Sequence, residues 1–92
     1  MIVRFRHAGL ERFFTTGSAA QIQPAHRRRL KLIPTTLNTA QGPRDMGLPG
    51  LDLHLLKGEL TEFWSVSVSG NWRVIFRFDG NNVTDFDYLD YH

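Results

Sequence analysis

The last three residues of the chain, Asp90-Tyr91-His92, bring together a carboxylate, a phenol and an imidazole. Upstream, Leu53-His54-Leu55-Leu56-Lys57-Gly58 carries a second imidazole and a cation, and Asn71-Trp72-Arg73 opens an apolar run with another cation. Two histidines, a tyrosine, a carboxylate and two cations from separate strand-like segments are the parts needed to cut a phosphodiester. RNA carries its own nucleophile, the 2′-hydroxyl. A protein need only take its proton, stabilise the charged phosphorane and protonate the departing 5′-oxygen. Histidine suits both proton transfers because its unperturbed pKa is about 6.5. Arg73 and Lys57 suit the developing oxyanion, and most strongly where water is excluded. Tyr91 is suited to stack on a base or donate to the phosphate, and Asp90 to orient a histidine. No metal or other cofactor is expected, since no His/Asp cluster stands at ligand spacing and there is no cysteine.

These groups need a scaffold that ninety-two residues can build. That length is one domain, residues 1–92, near the lower limit for an unaided core. A hydrophobic content of 41% with seven Phe is enough to form one. Ile2-Val3-Arg4-Phe5 reads as a short first strand. Leu10, Phe13 and Phe14, at i, i+3 and i+4, mark one face of a helix from about His7 to Thr16, closed by Gly17. Pro24 suits the first turn of a second helix. Pro34 lies inside that helix, where it costs about 3 kcal/mol, so a kink or break is expected before helix resumes through Leu37. Residues 41–50 hold Gly42, Pro43, Gly47, Pro49 and Gly50 and read as a loop.

The remainder alternates with period two. Trp64, Val66 and Val68 interleave with serines; Trp72, Val74, Phe76 and Phe78 follow Gly70-Asn71; Phe86 and Tyr88 follow Asp79-Gly80-Asn81-Asn82. Keeping Val66, Val68, Val74 and Phe76 on one face requires Ser67 opposite Arg73, and a Ser69-Gly70-Asn71 loop with a left-handed residue and a bulge. The opposite face then carries Ser67, Arg73, Arg77 and nearby acids. The expected fold is α+β, with a short N-terminal strand and two helices on one face of a mainly antiparallel, curved sheet.

Charge is unevenly spread. The net charge is +2, but residues 1–44 hold eight of the eleven Lys/Arg and a single acid, Glu11, while residues 45–92 hold the other eight acids. Arg27-Arg28-Arg29 and Lys31 form the densest cation cluster, suited to a polyanion such as RNA or DNA. His7 and His26 read as surface residues, with the neighbouring arginines opposing protonation of His26. Residues 1–7 carry charges where a secretory leader would need an apolar run, so none is expected, and no run approaches the roughly 18 apolar residues of a membrane span. A cytoplasmic protein without membrane contact is expected.

Five segments together resemble the HigB-type branch (plasmid maintenance killer proteins) of the RelE/ParE toxin superfamily. They are Phe5-Arg6-His7 with Gly9-Leu10, Leu53-His54-Leu55-Leu56-Lys57-Gly58, Trp64-Ser65-Val66, Gly70-Asn71-Trp72-Arg73-Val74-Ile75-Phe76, and Asp90-Tyr91-His92. The resemblance spans nearly the whole chain and implies a small RelE-like fold. It also implies a messenger-RNA interferase that cleaves in the ribosomal A site. Its partners would be the ribosome, messenger RNA and a helix-turn-helix antitoxin, with operator DNA reached only through the antitoxin complex. It assigns catalysis to His54, Asp90, Tyr91 and His92, and phosphate contact to Lys57 and Arg73. Two other readings share the fold: a ParE-type toxin that binds DNA gyrase and cuts nothing, and a degenerate toxin that only co-represses with its antitoxin. The histidine pair with the tyrosine discriminates, because a pure binder has no use for it.

Overall fold

The computed structural model describes residues 1–60 and 62–90. Two helices, α1 (Ala8–Thr16) and α2 (Arg27–Thr39), precede four strands: β1 (His54–Leu55), β2 (Trp64–Ser69), β3 (Trp72–Asp79) and β4 (Asn82–Asp90). The strands form one antiparallel sheet in sequence order. This is the expected α+β architecture. The expected first strand is reduced to two isolated parallel bridges, Ile2 with Val83 and Phe5 with Phe86. A bulge in β4 interrupts the ladder there. Asp85 sits at φ 53, and pairing with β3 shifts between Ile75 and Arg77.

Helix α1 starts where His7 Nδ1 accepts from the Leu10 N–H at 3.0 Å, and it ends at left-handed Gly17, whose N–H donates to Phe13 O. Leu10 and Phe13 face the core. Helix α2 is led in by a 3-10 turn, Pro24–His26. It runs unbroken through Pro34, against the expected break. Leu30, Ile33, Pro34 and Leu37 are all buried, at i, i+3, i+4 and i+7. Burying three such aliphatic side chains contributes about 1.5–3 kcal/mol each. That outweighs the ~3 kcal/mol of the lost hydrogen bond and ring clash. The Thr35 and Thr36 hydroxyls donate to Lys31 O and Leu32 O, the carbonyls just beyond the gap.

The first hairpin pairs Ser67 with Arg73 as expected, but Trp72 pairs with Ser69, leaving Val68 as the extra residue. The loop is therefore Gly70-Asn71, with Gly70 at φ 56 and the bulge inside β2. The outcome for the faces is the same. Val66, Val68, Val74, Phe76 and Tyr88 join both helices in one core with Met46 and Leu51.

Candidate functional site

Strand register decides which side chains share the polar face. Directly opposed residues of an antiparallel pair project to the same side. His54 opposes Ser65, Ser65 opposes Ile75, and Ile75 opposes Asp87, so these four form one row across the sheet. The adjoining row is Ser67, Arg73 and Leu89. His54 and Arg73 thus lie in neighbouring rows of one face. The His54 side chain is half-exposed, and its Nδ1 lies 3.1 Å from Asp52 O. Arg73 Nη1 and Ser65 Oγ are buried without a hydrogen-bond partner among the described residues. Most buried polar groups are paired, so two orphans on one face require an explanation. Lys57 is exposed just beyond β1.

Asp90 is placed differently. It opposes Trp72, whose ring lies 4.8 Å from that of Tyr88, on the helix-side face. The described residues therefore place His54 and Arg73 on one face, on β1 and β3 with β2 between them, and set Asp90 on the other side of the strand end. Tyr91 and His92 lie outside the described residues.

Arg77, on the same face as Arg73, is occupied. Its Nε and Nη2 donate to Asp85 Oδ2 at 3.0 and 2.7 Å, and Arg4 adds a 3.7 Å contact to the other oxygen. The hydrogen bond from Arg77 holds the Asp85 carboxyl below its usual range against the opposing effect of burial. The basic cluster of α2 also divides. Arg27, Arg28 and Lys31 are exposed and line a groove between the helices with Phe13, Gly17 and Ala19. Arg29 instead donates to Gly50 O at 2.7 Å and to Ser67 O at 3.2 Å, tying α2 to β2 and to the loop that leads into His54.

His26 was expected at the surface and is buried. Its Nδ1 lies 2.7 Å from the Tyr88 hydroxyl, and both rings pack against Trp72. The Tyr88 hydroxyl also accepts from the Gln23 N–H at 3.4 Å. Burial, rather than the neighbouring arginines, pushes the His26 pKa down. Its spacing in sequence gave no sign of this, because its partner is 62 residues away. A prediction follows by linkage. Between the folded value and the ordinary 6.5, the unfolded chain binds more protons at His26, so stability rises with pH across that window. It should be lost as pH falls from about 6.5. Urea midpoints measured from pH 7.5 to pH 5 should decline, and His26→Gln should flatten the slope. The Asp85 window lies below 3.8 and does not interfere.

The layout of two helices on an antiparallel sheet, with an arginine and a histidine on the face away from the helices, is that of a small RelE-like toxin. Residues 3–92 match the family model described as RelE-like toxin of type II toxin-antitoxin system HigB. The endoribonuclease HigB of Proteus vulgaris is 34% identical over 96 aligned positions, which cover all of both chains. The chain belongs to the HigB-like toxin family, and membership implies an antitoxin partner. Among the described residues no helix is long and apolar enough to cross a membrane.

Proposed function

We propose that this chain is an endoribonuclease that cuts messenger RNA in the ribosomal A site without a metal. The observation that carries the reading is Arg73, whose Nη1 is buried without a partner among the described residues, one row from His54. The Arg73 side chain is half-buried and one of its nitrogens has no protein acceptor; turned outward, that donor suits an oxyanion that arrives with the substrate. The family and the printed activity of the Proteus vulgaris relative support the same reaction class. In the proposed step His54 takes the 2′-hydroxyl proton as that oxygen attacks phosphorus. Arg73 and Lys57 neutralise the phosphorane. His92 protonates the departing 5′-oxygen, leaving a 2′,3′-cyclic phosphate. Tyr91 stacks on a base or donates to the phosphate. Asp90, set on the helix side, enters as an orienting carboxylate. The site is expected to act in the cytoplasm, where ribosomes are.

The test is to map messenger 5′ ends after a pulse of expression, with translation running and with it blocked. New ends in codon register that vanish without translation are expected. Growth arrest without new ends would mean a binding toxin instead.

Arg27, Arg28 and Lys31 are proposed to hold ribosomal RNA, because all three are exposed on one helix. Phosphate contacts supply affinity without base choice and weaken with salt. Replacing the three by Ala should weaken ribosome binding and flatten its salt dependence by roughly one log-log unit for each phosphate no longer neutralised, with the melting temperature unchanged. Arg29→Ala should instead lower the melting temperature, since it frees two carbonyls from their donor. Sedimentation with ribosomes across a salt series separates the two outcomes.

A further inference from the structure

The segment before β1 is tightly held, and its last turn faces the candidate base. Leu51 is buried, and its carbonyl accepts from the Ser67 N–H at 2.7 Å. The carbonyl of Gly50 accepts from Arg29 at 2.7 Å. Two left-handed residues flank Leu51: Gly50 at φ 83 and Asp52 at φ 51. Left-handed backbone is uncommon for residues other than glycine, and Asp is among the few side chains that tolerate it. The result is a sharp reversal that aims the Asp52 carbonyl back at His54, 3.1 Å from Nδ1. The Asp52 carboxylate stands 3.8 Å from the same nitrogen.

A carbonyl oxygen only accepts. The contact therefore requires a proton on Nδ1, and in the neutral ring that leaves the lone pair on Nε2. We propose that Asp52 is a positioning residue for this site: its left-handed backbone holds the Nδ1–H tautomer of His54 and so presents Nε2 as the base. The proposal rests on the ribonuclease reading above and deepens it. It also resolves the order of the two histidines, since a ring held in this tautomer starts as an acceptor and not as a donor toward the substrate. The carboxylate has a second use, because it lies beside the imidazolium that forms when Nε2 takes the 2′-hydroxyl proton.

Long-range proton–nitrogen correlation spectra of the protein, at a pH where His54 is neutral, read the tautomer without any substrate. Nδ1–H is expected at His54. Asp52→Asn keeps the carbonyl and tolerates the left-handed backbone. It should retain that tautomer and cleave within about fivefold of wild type, the most an exposed ion pair supplies. Asp52→Val cannot hold φ 51 without strain. It should shift His54 toward Nε2–H and cleave at least about tenfold more slowly, in line with losses seen when a histidine's orienting partner is removed. Asp52→Gly, which is at ease in left-handed backbone, should recover the tautomer if Asp52→Val folds poorly. Nε2–H in the wild-type protein would overturn the inference and leave the nuclease reading standing. Nδ1–H together with a His54→Ala protein that still cleaves would remove His54 from the reaction, and the catalytic role of Asp52 with it.

Discussion

Replacing Arg73 by Ala should abolish messenger cleavage while leaving the melting temperature unchanged or a few degrees higher. The two halves of this expectation come from one observation. Arg73 Nη1 is buried without a partner among the described residues. A buried, unsatisfied donor costs about 1–3 kcal/mol, so its removal relieves a penalty. In a domain of this size about 1 kcal/mol corresponds to 4–8 °C. If the nitrogen is kept for a phosphate oxygen, its loss should lower the cleavage rate by about 10²–10³, the range for a single oxyanion donor. Arg73→Lys should recover only part of this, because an ammonium lacks the planar fork. Arg77 provides the contrast further along the strand. Its guanidinium already satisfies a mostly buried Asp85 carboxylate. Arg77→Ala should therefore destabilise by about 1–3 kcal/mol, since it strands that carboxylate. Thermal melts and 5′-end mapping on both variants decide the matter. A large stability loss in Arg73→Ala would make Arg73 a structural residue.

The difference between these two arginines was not legible in the sequence. Both fall on the same face of β3 by simple alternation, and alternation does not reveal which carboxylate reaches which cation. Asp85 reaches Arg77 because a bulge at a left-handed residue turns it there. Nothing in the run Val83-Thr84-Asp85-Phe86 announces a bulge. Period and punctuation did carry α1, the β2–β3 hairpin face and the pairing of Ser67 with Arg73, because each is set by neighbours within a few residues. Long-range contacts escaped. His26 looked solvated beside three arginines, yet Tyr88 holds it in the core. Arg29 looked like part of a basic patch, yet it clamps two carbonyls from distant segments. Pro34 was given its local cost without the burial that offsets it, which packing of α2 in the core with α1, Met46 and the sheet supplies.

The same limit applies to the candidate site. His54, Lys57 and Arg73 were put forward from residue type and from the family resemblance. That His54 and Arg73 occupy adjoining rows of one face needed the register of β1 on β2, because β1 is only two residues long. The register also separates Asp90 from them. Opposite Trp72, it belongs to the side that holds His26 and Tyr88. Of the terminal tripeptide read as one chemical unit, Asp90 lies on the helix side, and Tyr91 and His92 lie outside the described residues.

Deleting His92 alone should stop cleavage and toxicity while folding and antitoxin binding persist. β4 is paired as far as Asp90, and Tyr88 is anchored from the helix side by His26 and Gln23. The described part of β4 is therefore fixed out to Asp90, one position past the Leu89–Arg73 pair. A residue so close to the anchored strand can be brought within hydrogen-bond reach of a leaving oxygen, which general acid catalysis requires. The core and the paired strands are complete within residues up to Asp90, so circular dichroism and the melting curve should match wild type. Loss of a general acid should slow cleavage by about 10²–10⁴. His92→Ala should behave like the deletion, which separates the imidazole from the displaced terminal carboxylate. The chemistry supplies a sharper discriminator. A messenger with sulfur in place of the 5′-oxygen at the cleaved bond departs as a thiolate, whose conjugate acid has a pKa of about 8.5 and needs no proton to leave. That substrate should restore cutting to the His92 deletion and not to His54→Ala, because the 2′-hydroxyl still has to lose its proton. Rescue of His54→Ala instead would exchange the two roles, and a deletion that cuts the natural messenger at the wild-type rate would end the assignment of His92 to the reaction.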